Sequence, residues 1–134
     1  MKAFKVSALA LTLICVGCSD ATEVVDTEHV RVRGHLIALH QLDAPSPTAE
    51  CARERELGVQ AQARLQHLVS GAQDLSFQKT GMACLQFMTC DGFVRADGAD
   101  IGGTLTAEGL AVRAAVPEGG EAPHDWCAEP SVAE

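Results

Sequence analysis

The chain predicts an α+β fold that is mainly β: a small mixed barrel with helices packed on it. Three observations carry this. Short runs alternate apolar and polar residues and are punctuated by Gly34, Asp91-Gly92 and Asp97-Gly98, the period and turn residues of half-buried strands. One long segment repeats its apolar residues at helical spacing instead. The order is strands, a helix, strands, a smaller helix and a tail, which suits a barrel with helices laid against it. At 134 residues and 47% hydrophobic, the chain suits one domain with one core. There is no Tyr and a single Trp, Trp126, so that core must rest on Leu, Val and Ala.

Residues 1–21 read as an export signal. Lys2 and Lys5 make a basic start, and Val6 to Val16 is an apolar run too short for a comfortable membrane span. Two cleavage sites compete. Ile14-Cys15-Val16-Gly17-Cys18 resembles a lipobox, which would make Cys18 a lipid-modified N-terminus. Ser19-Asp20-Ala21 is an A-x-A-like site for simple cleavage. The lipoprotein reading is the preferred one. Both place the protein outside the cytoplasm, in the periplasm or anchored to the envelope. The domain then runs over residues 22–117, with a tail over 118–134.

Val30-Arg31-Val32-Arg33-Gly34 alternates as a strand, and Gly34 can turn it into a second run, His35 to Leu42. Asp43-Ala44-Pro45-Ser46-Pro47 breaks regular structure, because Pro has no N–H to donate. Thr48 to Ser70 is the clearest helix: Leu57, Ala61, Leu65, Leu68 and Val69 share a face, and Gly71 is placed to end it. The charges from Arg53 to Glu56 are its solvated face. Leu75 to Gln78 alternates again. Cys84 to Thr89 and Gly92 to Arg95 are further short strands, with Met82 and Met88 as core filler. A small helix is predicted near Gly103 to Glu108, closed by Gly109. Pro117 to Pro123 is loop.

After loss of the signal four cysteines remain unmodified: Cys51, Cys84, Cys90 and Cys127. An even number in an exported domain points to disulfides. Four cysteines allow three pairings, and the sequence alone does not choose among them. The expected set is Cys51–Cys127, which would staple the tail to the domain, with Cys84–Cys90. Zinc is disfavoured: no Cys-x-x-Cys is present and the histidines show no ligand spacing.

The formal charge is −8, from ten basic and eighteen acidic residues. Arg31, Arg33, Arg53, Arg55 and Arg64 could form a local basic patch, but the overall field repels a polyanion. Nucleic-acid binding is therefore expected to be weak or absent. Membrane contact is expected only through the lipid anchor.

Several motifs stand in a telling order. Val24-Val25-Asp26-Thr27-Glu28-His29 comes first, and Leu42-Asp43-Ala44-Pro45 follows with Asp43 fifteen residues after Glu28. Cys51-Ala52-Arg53-Glu54 opens the long helix, Ala107-Glu108-Gly109-Leu110-Ala111 lies near the end of the domain, and Trp126-Cys127 near the end of the chain. Together they resemble a thermonuclease (staphylococcal-nuclease-like) domain over residues 24–112. The resemblance implies a five-stranded OB-type barrel with about three helices. For active members it implies calcium-dependent cleavage of DNA and RNA. The Trp126-Cys127 ending resembles one found with a Cys51-like residue, which favours the first disulfide.

That chemistry needs carboxylates for the ion, a glutamate acting on the attacking water, and two arginines against the charge growing on the phosphate. The metal carboxylates fall on Asp26, Glu28 and Asp43, Glu28 being one methylene longer than the family's aspartate. The first arginine falls on Ala38 and the glutamate on Ser46. The segment of the second arginine corresponds to Lys79–Gly92, and no arginine lies between Arg64 and Arg95. Losing one positioned transition-state donor typically costs ~3 kcal/mol. Asp43 and, one helical turn from Ser46, Glu50 are the residual catalytic candidates. Plainer roles exist beside these: Asp26 and Glu28 as turn residues, Asp43 as a capping residue, and His29, His35 and His40 as surface or strand-edge histidines. Ser46 has no nucleophile-elbow context.

The expected function is an exported, catalytically degenerate thermonuclease-like module that binds a protein or small ligand. Second in order is a lipid-anchored accessory protein in a partner complex. Third is a calcium-dependent phosphodiesterase with a rearranged site of Asp26, Glu28, Asp43 and Glu50. Calcium is the one cofactor the resemblance implies.

Overall fold

A tight hairpin lies near the start of the described residues. Strand β2 (His29–Val32) turns through Arg33 and Gly34 into β3 (His35–Leu39), pairing Val32 with His35. Both turn residues have positive φ, 49° and 80°, the geometry of a two-residue turn whose twist matches its strands. A short β1 (Glu23–Val24) pairs along β2. The computed structural model describes residues 21–81, 89–113 and 124–129.

Beyond β3 the expected strand is interrupted. His40 and Gln41 form a turn, with Gln41 at φ 51°, and only Leu42–Asp43 resumes as β4. Helix α1 spans Ala52–Gly71, four residues shorter at its start than Thr48 predicts. The reason is local. Ser46 Oγ accepts from Thr48 N at 3.2 Å, and Ala49 N donates to Ser46 O at 3.3 Å, so a turn uses the groups a first helical turn would need. Cys51 is the N-cap, its sulfur facing Glu54 N at 3.4 Å. Gly71 is the last helical residue, and Ala72 leaves in extended conformation rather than through a left-handed cap.

Strand β5 (Leu75–Lys79) pairs antiparallel with β6 (Cys90–Ala96). Asp91-Gly92, expected as a turn, lies inside β6 instead. Gly92 is there because β5 presses on it: a Cβ at this position would meet Gln78 O at 2.7 Å. Asp97-Gly98 is a turn as expected, with φ 51° and 85°, and leads into β7 (Ala99–Asp100). Helix α2 (Ile101–Ala107) is capped by Asp100, whose Oδ2 accepts from Gly103 N at 3.1 Å. Its C-terminus closes as a Schellman motif. Gly109 at φ 75° donates to Thr106 O at 3.1 Å, and Leu110 N donates to Leu105 O at 2.9 Å. Strand β8 (Val112–Arg113) then pairs antiparallel with β4.

The protein is α+β, with two helices among the described residues and a mixed six-strand sheet in the order β1-β2-β3-β6-β5, β7 also pairing β6. The β3–β6 contact is parallel and the others antiparallel. No closed ring of strands forms among the described residues. The far end of the sheet nonetheless curls back: Arg33 Nη2 donates to Leu75 O at 3.3 Å, and the rings of His35 and Phe77 lie 5.3 Å apart. Val30, Val32, Ile37, Leu39 and Val94 from the sheet meet Leu65 and Val69 of α1 and Ile101 and Leu105 of α2 in one core. Among the described residues Trp126 is the one buried aromatic.

No described helix is long and apolar enough to cross a membrane. The export signal with Cys18, the 82–88 segment with Met82, Cys84 and Met88, and the Pro117–Pro123 loop lie outside the described residues.

Candidate functional site

A cleft of about 480 Å³ opens between the β1–β2 loop, the segment after β4 and the flank of α1. Asp26, Thr27 and Glu28 line one wall, Ala44, Ser46, Pro47 and Thr48 another, and Gln62 reaches in from α1. Two of the three expected metal carboxylates therefore face one cleft. Asp43 is not among its lining residues.

Each carboxylate is engaged differently. Asp26 Oδ1 accepts from Glu28 N at 2.8 Å, and both its oxygens lie within 2.9 Å of His29 Nδ1. Glu28 Oε1 accepts from Ala44 N at 3.0 Å, tying the two walls together. Burial pushes the Glu28 carboxyl above the ordinary glutamate range. The Ala44 N–H bond pulls it down, the Asp43 and Asp26 charges push it up again, and His29 lowers it. Asp43 faces away, toward the tail: Oδ2 accepts from His124 N at 2.7 Å and Oδ1 from Trp126 Nε1 at 3.1 Å. Asp43 thus serves the tail, with a partner eighty-three residues ahead, rather than a local turn.

Asp26, Glu28 and Asp43 do not form a compact ligand set. Among the described residues the one group with ligand atoms within 4.8 Å of one another is Cys51, Glu54 and Cys127. Its two sulfurs are already joined: Cys51–Cys127 is a disulfide with Cα atoms 6.0 Å apart. Cys90 is disulfide-bonded as well, and Cys84, expected to be its partner, lies outside the described residues. Glu50 is exposed and does not line the cleft; its backbone carbonyl accepts from Arg55 Nη1.

The expected basic patch is dispersed. Arg31 pairs with Glu23 at 3.0 Å, Arg55 Nη1 donates to Ala49 O at 3.0 Å, and Arg64 grips Glu108 through Nε and Nη2 at 2.8–3.1 Å. Among the described residues no lysine or arginine lines the cleft. Ala38, where the resemblance puts the first arginine, pairs with Asp91 of β6. His40 Nδ1 lies 2.5 Å from Asp91 Oδ2, which also accepts from Thr80 Oγ1. His35 and His40 are half-buried, His35 on the interior strand β3 and His40 in the turn after it, rather than at the surface or a sheet edge.

Glu54 is the residue that sequence reasoning passed over. It stands three positions into α1, and its Oε1 accepts from Ser46 N at 3.1 Å. A cap residue followed three places later by Glu is a readable signal, but a cysteine cap hides it. Gly58 is the other. A Cβ there would meet Pro47 N and Ser46 C at 2.3 Å, so α1 seats directly on the cleft's wall.

The cleft can offer one half-buried carboxylate, the Ser46 and Thr48 hydroxyls (3.0 Å apart) and the Gln62 amide. It suits a polar ligand that is neutral or positive and opposes an anion. No protein-family model and no curated protein matches the sequence.

Proposed function

We propose that this chain is a thermonuclease-like module of OB type, exported and without nuclease chemistry, whose cleft serves as a binding site for a neutral or cationic polar group. The parallel β3–β6 joint and the curl of β5 back toward the β2–β3 turn support the barrel reading. The observation that carries the functional reading is the lining of the cleft. Among the described residues its lining holds Asp26 and Glu28 but no lysine or arginine, the side chains that would neutralise charge growing on a phosphate. Ser46 stands where a general base would act and is neutral, and its backbone N–H is tied to Glu54. Asp43 is held by the tail.

The test is a cleavage assay on the purified, oxidised chain with single-stranded DNA and RNA, in calcium and in chelator, beside Glu28→Gln to reveal contaminating nuclease. The expected result is no cutting above the variant. Calcium-dependent cutting that Glu28→Gln abolishes overturns the proposal and favours a phosphodiesterase with a rearranged site. Glu28→Gln is the cleaner control because Asp43→Ala would also release the tail.

A further inference from the structure

The two sulfurs of the Cys51–Cys127 bridge are not equivalent. Cys51 is half-buried at the N-cap of the 20-residue α1, and its Sγ faces Glu54 N at 3.4 Å. A backbone N–H and the positive end of a long helix stabilise a thiolate at that place. Cys127 is exposed, and its Sγ lies 3.7 Å from Glu54 Oε2; a Glu54 carboxylate oxygen also stands within 4.8 Å of Cys51 Sγ, but only Cys51 has the helix N-terminus to offset that charge. The tail that carries Cys127 docks on the domain through His124 N and Trp126 Nε1, both given to Asp43. Asp43 adjoins Ala44, whose N–H holds Glu28 across the cleft.

We propose that Cys127 is a thiol-exchange site and that the bridge is a redox-sensitive strap on the tail. A small-molecule thiolate attacks Cys127 Sγ and forms a mixed disulfide there. The Cys51–Cys127 bond breaks, and its electron pair leaves on Cys51 Sγ as a thiolate held by the helix N-terminus. A second thiolate then attacks the mixed disulfide at the small-molecule sulfur. That frees Cys127, so the protein bridge is reduced while two monothiols become one disulfide. Protons lost by the two thiols balance those finally taken up by the two cysteines. With the crosslink open, Trp126 leaves Asp43 and the cleft loses the support behind Ala44. The strap operates whatever the cleft binds.

The experiment treats the folded, oxidised chain with glutathione, quenches with an alkylating agent, and maps adducts by peptide mass spectrometry while Trp126 fluorescence is followed. Glutathione should appear on Cys127 at about ten or more times its level on Cys51, as exchange chemistry directs, with Cys51 recovered alkylated. The fluorescence should move to the red in step with the adduct. A run in mild urea separates native exchange from unfolding: the rate should barely change. Equal labelling of both cysteines, a rate that climbs with the unfolded fraction, or a Trp126 signal that stays native after Cys127 is modified would each overturn the proposal.

Discussion

At the residue scale, the carboxylates divide the work. Asp43 supplies both oxygens to the tail, so Asp43→Ala leaves the indole N–H of Trp126, a residue only 8% exposed, without its acceptor. Loss of such a bond costs about 1–3 kcal/mol, and urea denaturation followed by Trp126 fluorescence should show a lower midpoint with a red-shifted native signal. Glu28 behaves oppositely to a paired carboxylate. Its folded pKa lies above the unfolded one, so its contribution is fully present below the unfolded pKa and is lost as pH rises through the raised folded value. Glu28→Gln keeps an acceptor for Ala44 N and removes the charge. It should raise the melting temperature at pH 7 and leave it nearly unchanged at pH 4. Glu108, lowered by Arg64, has the opposite sign and loses its contribution in acid, but both groups are exposed and solvent screens the pair. The sequence could mark Asp43 as either ligand or cap. It could not choose, because the deciding partner is distant in the chain and local in space.

At the element scale, legibility tracked how local the cause was. The turn at Gly34, the Asp97-Gly98 turn, the apolar face of α1 and the Gly109 stop are fixed by neighbours within a few residues, and each stands where the pattern put it, while Arg33, read as strand, joins Gly34 in the turn. Asp91-Gly92 has the same composition as a turn but is pinned into β6 by pairing with β3 and β5, a tertiary override no dipeptide reveals. The start of α1 was obscured by Ser46–Ala49, whose own turn competes with helix. Gly58 gives the sharpest check. Gly58→Ala improves helix propensity by about 1 kcal/mol in isolation, yet its Cβ would strike Pro47 and Ser46. The net effect should be destabilising, by about 1–3 kcal/mol for overpacking, measured by chemical denaturation. Gly92→Ala should do the same against Gln78.

At the scale of the whole molecule, the tail is tied covalently to the start of α1. The Cys51–Cys127 link spans 76 residues, and in the chain-entropy model such a loop contributes about 4 kcal/mol. Cys51→Ser with Cys127→Ser should lower stability by roughly that amount, read from the urea midpoint with the m-value compared. The α+β class followed from element order alone. The open path of the sheet did not, since strand neighbours far apart in sequence leave no periodic mark. The parallel β3–β6 joint also has a consequence in time. Two antiparallel hairpins, β2–β3 and β6–β7, can close in microseconds from residues already adjacent in the chain. The joint between β3 and β6 must wait until the whole of α1 and β5 has been gathered in between, and loops of that length close late. A chain released in order from its N-terminus would hold β3 as an unpaired edge until β6 arrives, a sticky interval in which a folding catalyst or holdase has its opportunity.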